Sequence, residues 1–532
     1  MKQLIATLLT FLTLNACTAS EAPVIPSDTT IVILFENDVH CQIDGYIALA
    51  QLRSAISDTA HVAAVSSGDF LQGGTIGAIS RGAHITAIMQ TIGYDAITLG
   101  NHEFDYQIDR MSQLIDQVAL PVTSCNFIAL PDSIHPTPRQ PYPSYIIRTI
   151  GKCKIAFIGI TTPTTLQSEE YAFWDKQGRQ THDLLTDSIY QIVQAAVDQA
   201  RSQGAQYCIV LSHLGEEDNS SHITSHSLAA ATHGIDAILD GHSHSVVPSY
   251  QHTNLHGKPV IISQTGTGFK NIGKLTIDTQ GRITTELLPT SSLPESVKSR
   301  HTHTATAVDS IKALVERETS QIVCHSDFPI RILDDTGHQA VRFSETNAGD
   351  LVCDAFRTIG NAQIGLSNGG GIRAELPSGD LSYGDIVSLL PFENHLEVIQ
   401  VTGQDLYDAL EACSQSVPES DGQFAQVSGI RYTIDTRSAK RVTSIDLLNP
   451  DSTYTPIELH QTYTLCTSDY CTTGGGMYGK FKHCPKLKTQ ICRYSDALIE
   501  YLTEHLQGEI PAQYAQPQGR IKIISTSSPT QN

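Results

Sequence analysis

The chain has 532 residues, 40 % of them hydrophobic, and a formal net charge of −21 at pH 7. This length is too great for a single core, and we expect up to three domains of about 100 to 200 residues each. The negative charge argues against binding to nucleic acid polymers, because a protein that neutralises a phosphate backbone needs a basic face. Any phosphate site must therefore depend on local positive charge.

The N-terminus has the pattern of an export signal. Lys2 is followed by an apolar stretch from Leu4 to Leu14 and by small residues before Cys17, and this stretch is too short to span a membrane. The segment ending at Cys17 resembles a bacterial lipoprotein box, in which the cysteine is lipidated. We therefore predict a signal peptide over residues 1–17 and a lipid-anchored protein in the periplasm or at the outer membrane or cell surface. A plain secretory signal cut near Ser20 is the alternative.

The remaining chain divides by composition. Residues 18–30 are small and polar and predict a tether. From residue 31 to 300, β-rich runs such as IVILF, VAAV and KIAFIGI alternate with amphipathic stretches, which indicates a layered α/β domain. Residues 301–320 predict a linker helix, residues 321–524 a second domain, and residues 525–532 a disordered tail. We see no later run that could span a membrane, so we expect membrane contact only through the anchor.

Apart from Cys17 the chain has eleven cysteines, and none of them forms a CxxC pair. The sequence therefore gives no sign of a zinc knuckle or a redox motif. Bridges among Cys466, Cys471, Cys484 and Cys492 are possible pairings that the sequence cannot assign.

Several predicted strands end at residues that commonly bind metals. These are Asp38 and His40, Asp69, Asn101 and His102, His213, and His242 and His244. The carboxyl ends of the strands in an open α/β sheet share one edge, so side chains that are far apart in the sequence can converge on one crevice there. The two-residue spacing in Asp38/His40 and His242/His244 places both side chains of each pair on the same side of an extended segment.

The chemistry of this set favours a pair of metal ions. Asp69 offers two carboxylate oxygens, as a ligand that bridges two cations requires. Imidazole and carboxylate without thiolate suit Zn²⁺, Mn²⁺, Fe or Co²⁺ better than Ca²⁺. Two such ions can activate a shared water and hold the phosphoryl oxygens that it attacks. The residues therefore predict hydrolysis of a phosphate ester.

His102 is predicted to be catalytic, with Asp105 as its partner. If the segment after Glu103 turns helically, Asp105 approaches His102, fixes its tautomer and raises its basicity. Taken singly, any of the 22 histidines is more often a surface or hydrogen-bonded residue, and an Asp after a strand is more often a cap. The functional interpretation depends on the whole set in order.

Eight segments together carry a resemblance to a known family: FENDVH, SSGDFLQGG, LGNHEFDY, LSHLG, DGHSH, SETNAGDLVCDAF, LSNGGGIRA and LLPFENH. From Ile31 to about Lys522 the chain resembles the two-domain 5′-nucleotidases of the calcineurin-like phosphoesterase superfamily. The resemblance implies an N-terminal layered αββα metallophosphoesterase domain and a linker helix. A C-terminal α+β nucleotidase domain would follow and bind the substrate.

The resemblance also implies roles for single residues. Two divalent metal ions, Zn, Mn or Co, would be the cofactors. One would be held by Asp38, His40, Asp69 and His244, and the other by Asp69, Asn101, His213 and His242. His102, supported by Asp105, would stabilise the charge that develops on the phosphoryl group. The second domain would bind the nucleoside and rotate relative to the metal domain.

In the second domain, Asn368, Gly370 and Arg373 of the segment NGGGIR predict a phosphate site, because backbone N–H groups, an amide and a guanidinium all suit phosphate oxygens. A plain glycine turn is the alternative. Phe392 and Tyr478 match the two aromatic residues that hold the base in this family, and stacking suits any base. Packing in the core is the alternative for both aromatic residues.

Three features depart from the family pattern. Cys41 follows His40 where glycine is usual, and we interpret it as a bystander rather than a ligand. The loop GGGMY replaces the common GGDGF, so the base pocket can differ. Ser344 stands where some relatives carry an arginine before the ETN segment, and Arg342 is the candidate substitute.

The sequence thus predicts an exported dimetal phosphohydrolase that removes the 5′-phosphate from nucleotides and releases nucleoside. UDP-sugars, 2′,3′-cyclic nucleotides and nucleoside di- or triphosphates are alternative substrates of the same site. A surface nucleotide-binding protein without turnover is a second hypothesis, and a sulfur-compound hydrolase is a more remote one. The complete ligand set favours an enzyme, and the two aromatics favour a nucleobase. The oligomeric state stays open.

Overall fold

The computed structural model describes residues 30–175, 179–216 and 223–525. The predicted signal peptide with Cys17, the tether up to residue 29 and the tail from residue 526 lie outside these residues. Within the described part of the chain, none of the helices combines the length and the apolar composition that crossing a membrane requires.

The N-terminal half contains a pair of facing sheets. From edge to edge, the strands of the first are Ile283–Pro289, Asn271–Ile277, Ile31–Glu36, His61–Ser66 and Ala96–Ile97. The strands of the second are Val246–Thr253, Pro259–Thr265, Ala237–Leu239, Tyr207–His213, Cys153–Thr161 and Tyr145–Ile150. A short pair, Phe127–Ala129 with His182–Leu184, lies apart from both. The apolar runs recognised in the sequence all fall within these strands.

The N-terminal core has three apolar layers. The layer between the sheets includes Ile33, Phe35, Phe157 and Ile209. The outer face of the first sheet packs against the helices Asp44–Ile56, Ala83–Ile92 and Ile108–Val118. The outer face of the second packs against Ile189–Ser202 and Ser225–Ala231. Strands buried on both faces need apolar side chains at every position, which explains the run IVILFE, and the predicted αββα layering is confirmed.

Shorter helices complete this half. They are the α-helices Gly74–Ser80, Thr165–Ser168 and Glu295–Lys298 and the 3₁₀ turns Glu170–Phe173 and Thr290–Ser292. Among them, Thr165–Ser168 and the turn after it follow the strand Cys153–Thr161 directly.

A helix of 17 residues, His303–Thr319, lies in the segment that the sequence predicts as a linker. Its N-terminus is capped by Thr302, whose hydroxyl oxygen accepts a hydrogen bond from the N–H of Ala305 at 3.2 Å. Val308 and Val315 are buried. The helix packs against Asp44–Ile56 and Ala83–Ile92 of the N-terminal half and against Tyr383–Leu389 of the C-terminal half, so it contacts both halves of the molecule.

The C-terminal half is built on a mixed sheet with strand order Ala425–Ser428, Ile364–Asn368, Thr462–Ser468, Leu396–Thr402 and Lys486–Lys488. A smaller sheet has the order Tyr454–Pro456, Val442–Leu448, Ile430–Asp435 and Ile521–Ile524, and a strand pair joins Ile322–Ser326 to Gly379–Ser382. The α-helices are Asn347–Gly360, Tyr383–Leu389, Gly403–Cys413, Asp469–Thr472 and Tyr494–Glu500. Short turns of other helix types are Ala340–Arg342, Gly369–Gly371, Phe481–His483, Tyr501–His505 and Ala512–Ala515.

The C-terminal sheet is covered by apolar side chains on both faces. Val398 belongs to the cluster on one face and Ile399, the next residue, to the cluster on the other. This alternation is the two-residue period of a strand. Every cysteine in the described part of the chain is a free thiol, so the bridges considered for the last four cysteines are not formed.

Parallel pairing brings the candidate ligands to one edge. Ile31–Glu36 runs parallel to His61–Ser66, with Phe35 opposite Val65, and Tyr207–His213 runs parallel to Ala237–Leu239. The loops that follow these strands therefore emerge together at the carboxyl edge, where ligands bind in open α/β sheets. The C-terminal half faces this edge across a cleft.

Candidate functional site

An unusual backbone conformation recurs among the candidate metal ligands. The left-handed region holds Asp38 (φ 50°), His40 (φ 44°), Asp69 (φ 60°), His242 (φ 78°) and His244 (φ 55°). This conformation is costly for residues other than glycine and persists where the surroundings impose it. Here the N–H of Asp38 donates to the carbonyl of Gly68 at 3.0 Å, and the N–H of His40 donates to the carbonyl of Asp69 at 3.1 Å. The loops are thereby held in a shape that aims the side chains inward.

The side chains converge around Asp38. The Nε2 atoms of His40 and His244 lie 3.1 Å apart, and His244 Nε2 lies 3.4 Å from Asp38 Oδ1. On the other side, His213 Nε2 lies 3.8 Å from Asp38 Oδ1 and 3.1 Å from Asp69 Oδ2. Asp38 thus belongs to two adjoining groups of potential ligands, one with His40 and His244 and one with Asp69 and His213.

Asn101 and His242 complete the set. His242 Nδ1 lies 3.1 Å from Asn101 Oδ1, and the N–H of His242 donates to Asp38 Oδ2 at 2.9 Å. Gly100, next to Asn101, lets Asp69 approach this loop, because a Cβ atom at residue 100 would lie 2.2 Å from Asp69 Oδ1. All seven residues that the sequence analysis proposed as ligands are therefore brought together.

The charges and tautomers fit divalent cations. His213 Nδ1 donates to the carbonyl of Ser67 at 2.6 Å, while its buried Nε2 faces the carboxylate of Asp69 at 3.1 Å. Burial opposes protonation, but the carboxylates of Asp69 and Asp38 raise the pKa of His213 to about 10. Such a surplus of negative charge is what a bound cation would neutralise. Burial lowers the pKa of His40 and of His242 to about 4, so both imidazoles are neutral, as metal ligands must be.

His102 and Asp105 form a pair beside this cluster. His102 Nδ1 lies 3.0 and 3.2 Å from the two oxygens of Asp105, and the backbone N–H of His102 donates to Asp69 Oδ1 at 2.9 Å. Burial alone would lower the pKa of His102, but the carboxylates of Asp105 and Asp69 outweigh it and raise that pKa well above its usual value. The two carboxylates therefore favour the protonated form of His102.

Glu103 is a buried residue that the sequence analysis did not single out. One of its oxygens accepts the N–H groups of Phe70 and Leu71 at 2.8 and 3.0 Å. The other accepts those of Asp69 and Gly100 at 2.8 and 2.6 Å. A single carboxylate thus fixes the loop that carries Asp69 and joins it to the loop that carries Asn101.

The glycine segment of the second domain differs from the prediction. The N–H of Gly370 is not free for a phosphate, because it donates to the carbonyl of Gly422 at 2.8 Å. The side-chain amide of Asn368 donates to the same carbonyl at 3.2 Å. Gly422 belongs to a loop some fifty residues later in the chain. Because this loop packs against the glycines, their polar groups are already paired. Positive charge at this wall of the cleft comes instead from arginine.

Arg373 and Arg342 both lie beside the glycine segment, since Arg373 Nη1 donates to the carbonyl of Gly370 at 3.4 Å and a Cβ atom on Gly369 would lie 3.3 Å from Arg342 Cα. The guanidinium carbon of Arg373 is 5.8 Å from the ring centre of Phe392. Burial lowers the pKa of Arg342, and the neighbouring Arg373 lowers it further. Arg342 Nε is buried without a hydrogen-bond partner in the described part of the chain. Two guanidinium groups beside one glycine segment are suited to a bound anion.

The prediction that Tyr478 faces the substrate is wrong for this arrangement. Its side chain has no exposed surface, its ring packs against Phe481 with centroids 5.7 Å apart, and its hydroxyl donates to the carbonyl of Gln423 at 2.7 Å. Tyr470, eight residues earlier, lines the cleft together with Phe392. The glycine-rich turn between the two tyrosines directs the first toward the cleft and the second into the core.

The cleft contains a cavity of about 250 Å³ between the two halves. Asn101, His102 and Asp105 line it from the N-terminal half, and Asn368, Gly370, Phe392, Gln423 and Tyr470 line it from the C-terminal half. The ring centres of His102 and Phe392 are 6.5 Å apart across it. A second cavity of about 650 Å³ begins at Asn101 and His242 and extends to Gly476 and Lys482. Both cavities meet at Tyr470.

Cys41 lies next to His40 in the sequence, but its thiol points away from the cluster. The Sγ atom donates weakly to the carbonyls of Phe70 and Leu71 at 3.5 and 3.2 Å. Burial raises the pKa of this thiol well above its usual value. A protonated, buried thiol is inert, which supports its interpretation as a bystander.

Two family models match the chain. Residues 31–246 match calcineurin-like phosphoesterases, and residues 324–483 match the C-terminal domain of 5′-nucleotidases. The 5′-nucleotidase of Mus musculus is 25 % identical over 561 residues, which cover 93 % of this chain and 91 % of that protein. The trifunctional nucleotide phosphoesterase of Bacillus subtilis (strain 168) is 25 % identical over 498 residues. That alignment covers 85 % of this chain but only 32 % of the Bacillus protein.

A solved structure shares the fold. The 5′-nucleotidase precursor from Thermus thermophilus superimposes with a TM-score of 0.71 and 24 % sequence identity, covering 93 % of this chain and 99 % of that one. The agreement extends over both halves of the molecule. The chain therefore belongs to the two-domain 5′-nucleotidase family of the calcineurin-like phosphoesterases, which are hydrolases.

Proposed function

We propose that this hydrolase removes the 5′-phosphate from nucleotides and releases nucleoside and inorganic phosphate. One observation carries the proposal. A single cavity is lined by Asn101 and His102 from the half that carries the ligand cluster and by Phe392 and Tyr470 from the other half. A nucleotide has the matching polarity, with a dianionic phosphate at one end and a flat base at the other.

Seven residues would hold two divalent cations, with Zn, Mn and Co as the candidates. They are Asp38, His40, Asp69 and His244 for one cation and Asp69, Asn101, His213 and His242 for the other. Bound ions of this kind supply an activated water and neutralise charge on the phosphoryl oxygens. The buried Nε2 of His213, which lies 3.1 Å from Asp69 Oδ2 and 3.8 Å from Asp38 Oδ1, supports this assignment.

His102 would stabilise the phosphoryl group as negative charge develops on its oxygens. Its Nδ1 donates to Asp105 at 3.0 Å, and the nearby carboxylates favour the protonated ring, so that Nε2 would also carry a proton and could donate it toward the cleft. A donor held in place before the reaction stabilises the transition state without the cost of reorientation. Asp105 acts by fixing the orientation of the ring and its positive charge.

The C-terminal half would bind the rest of the nucleotide. The guanidinium groups of Arg373 and Arg342 offer forked donors to phosphate oxygens, and Asn368 lines the same wall. The base would lie between the rings of Phe392 and Tyr470. Stacking is tolerant of base identity, so we expect purine and pyrimidine nucleotides both to bind.

A second candidate function is hydrolysis of nucleotides that carry a group beyond the first phosphate, such as nucleotide sugars. It is favoured by the cavity of about 650 Å³ that opens from Asn101 and His242 and extends to Gly476 and Lys482. A substituent on the phosphate could occupy this space while the base occupies the smaller cavity.

Export and lipid anchoring at Cys17 remain part of the proposal, together with the domain limits of 31–300, 301–320 and 321–524. Cleavage before Cys17 and labelling with a radioactive fatty acid would support the anchor. A mature N-terminus near residue 20 without lipid would favour a plain secretory signal instead.

The test of function is to measure the release of inorganic phosphate and of nucleoside monophosphate by metal-reconstituted protein from AMP, UMP, ADP, ATP, UDP-glucose and a 2′,3′-cyclic nucleotide. Release from AMP and UMP at comparable rates supports the main proposal. Faster release of UMP from UDP-glucose supports the second candidate. Nucleotide binding without turnover of any compound would contradict both and favour a surface binding protein.

A further inference from the structure

Glu169 is a buried carboxylate beside the catalytic pair that no sequence motif indicates. It follows the helix Thr165–Ser168, and only 7 % of its surface is exposed. Its N–H donates to the carbonyl of Thr165 at 2.8 Å, and its own carbonyl accepts the N–H of Ala172 at 2.9 Å. The backbone at Glu169 is thus fixed on both sides, and its side chain lines the same cavity as His102 and Asp105.

The carboxyl groups of Glu169 and Asp105 are in contact. One oxygen of each, together with a ring nitrogen of His102, lie within 4.8 Å of one another. Burial raises the pKa of Asp105, while His102 and a hydrogen bond between the two carboxyl groups act in the opposite direction. A proton shared between the two groups would avoid two adjacent negative charges without water, which are costly.

Asp105 turns both of its oxygens toward His102 Nδ1, at 3.0 and 3.2 Å. This orientation of the carboxylate must be held by groups on its other side, and Glu169 is one such group. A small rotation of Asp105 would tilt the imidazole ring and move the proton that faces the cleft. In general, a displacement of a catalytic group by about 1 Å can lower the rate about 10²-fold.

The segment that carries Glu169 also reaches the C-terminal half. The next residue, Glu170, accepts a hydrogen bond from Lys482 Nζ at 2.7 Å. Both side chains of this ion pair are partly exposed, and such a pair contributes little stability by itself. Its position nevertheless ties the segment to the opposite wall of the cleft.

We propose that Glu169 is a positioning residue that holds Asp105, and through it His102, in the orientation required for phosphoryl transfer to water. The inference rests on the proposed function of the cleft. Glu169 does not contact the phosphoryl group and acts only through Asp105. This role predicts an effect on kcat rather than on KM, and an effect that disappears when Asp105 is altered.

The test compares Glu169→Ala and Glu169→Gln in metal-reconstituted protein with AMP as substrate. We expect Glu169→Ala to lower kcat about 10-fold, with KM and metal content unchanged, because the loss is one of orientation. Glu169→Gln should keep kcat within about threefold of the parent protein, because the amide N–H₂ can donate to Asp105 as the shared proton would. In Asp105→Asn protein, adding Glu169→Ala should cause no further loss.

Glu170→Ala is the matched control, because it removes a carboxylate from the same segment without touching Asp105. This variant should have the kcat of the parent protein, and any effect should be on KM. Wild-type kcat in Glu169→Ala, or losses in kcat that multiply in the double variant, would overturn the inference while leaving the proposed function intact. If Glu169→Ala does not fold, Glu169→Gln provides the test, and a 10-fold loss of kcat in that variant would also overturn the inference. Absence of turnover in the parent protein would instead contradict the proposed function itself.

Discussion

The carboxylate of Glu103 accepts the backbone N–H of Asp69 at 2.8 Å and thereby fixes the residue proposed to bridge the two cations. Its two oxygens also accept the N–H groups of Phe70, Leu71 and Gly100. In Glu103→Gln one of the two accepting oxygens is replaced by an N–H₂ group, so the backbone N–H groups that face it lose their acceptor. We expect a loss of about 1–3 kcal/mol in the free energy of unfolding, measured with denaturant, and a lower metal content after dialysis.

Glu375→Gln is the control for this effect. Glu375 also accepts backbone N–H groups, those of Ile332 and Leu333 at 3.1 and 3.0 Å, but it is exposed. Its replacement should change stability less and leave metal content intact. Full metal content in Glu103→Gln would show that the loop keeps its shape without the carboxylate.

His102→Ala should lower turnover of AMP by about 10²-fold or more, because it removes the positioned donor to the phosphoryl group. Metal content should stay at the parent level, since His102 is not one of the proposed ligands. His135→Ala is a matched control, because His135 pairs with an aspartate three residues away in the sequence, as His102 does, but at the surface. Turnover that is unchanged in His102→Ala would remove this residue from the mechanism.

Tyr470→Ala should raise KM for AMP about 5- to 100-fold, because stacking on one base contributes about 1–3 kcal/mol. Tyr478→Phe should leave KM unchanged and lower stability by about 1 kcal/mol, because it removes a buried hydroxyl that donates to the carbonyl of Gln423. Steady-state kinetics and thermal unfolding separate the two effects. A rise in KM for Tyr478→Phe with none for Tyr470→Ala would reverse our assignment.

These two tyrosines illustrate what the sequence could and could not predict. Both flank the segment Gly474–Gly476, and Gly474 and Gly476 have positive φ. Which aromatic ring faces the cleft depends on how this turn packs against Gln423, which lies far away in the chain. The same holds for Gly370, whose N–H is taken by a distant carbonyl. Residue type and local spacing contain no information on such contacts.

The convergence of the proposed metal ligands was predictable for a physical reason. Parallel strands end at one edge, so an apolar run followed by Asp or His indicates both the position and the chemistry of a site. The αββα layering follows from the same runs, since strands buried on both faces are apolar throughout. Glu103 was within a recognised segment, but nothing in its spacing showed that it points inward. Glu169 has no local signal, because its function depends entirely on the fold that brings it to Asp105.

Gly476→Ala should weaken substrate binding through Gln423. A Cβ atom at residue 476 would lie 2.0 Å from Gln423 Oε1, and the backbone there has φ of +59°. Gln423 would have to move, and its Nε2 would lose the hydrogen bond that it donates to the hydroxyl of Tyr470 at 3.0 Å. We expect KM for AMP to rise about 3- to 10-fold, as loss of one such hydrogen bond corresponds to about 0.5–1.5 kcal/mol.

Gly479→Ala is the control in the same loop, because a Cβ atom there meets nothing within 4 Å. It should keep the KM of the parent protein. Equal effects of the two substitutions would indicate that the loop as a whole, rather than the contact with Gln423, determines affinity.

The central claim is that the seven ligands hold two catalytic cations, and a metal titration tests it most directly. Chelated protein is reconstituted stepwise with Mn²⁺ or Zn²⁺, and bound metal and phosphate release from AMP are measured on the same samples. The account predicts no release from the chelated protein and full activity when two ions per chain are bound. Full activity in protein that holds no metal, or saturation at a single ion, would contradict it.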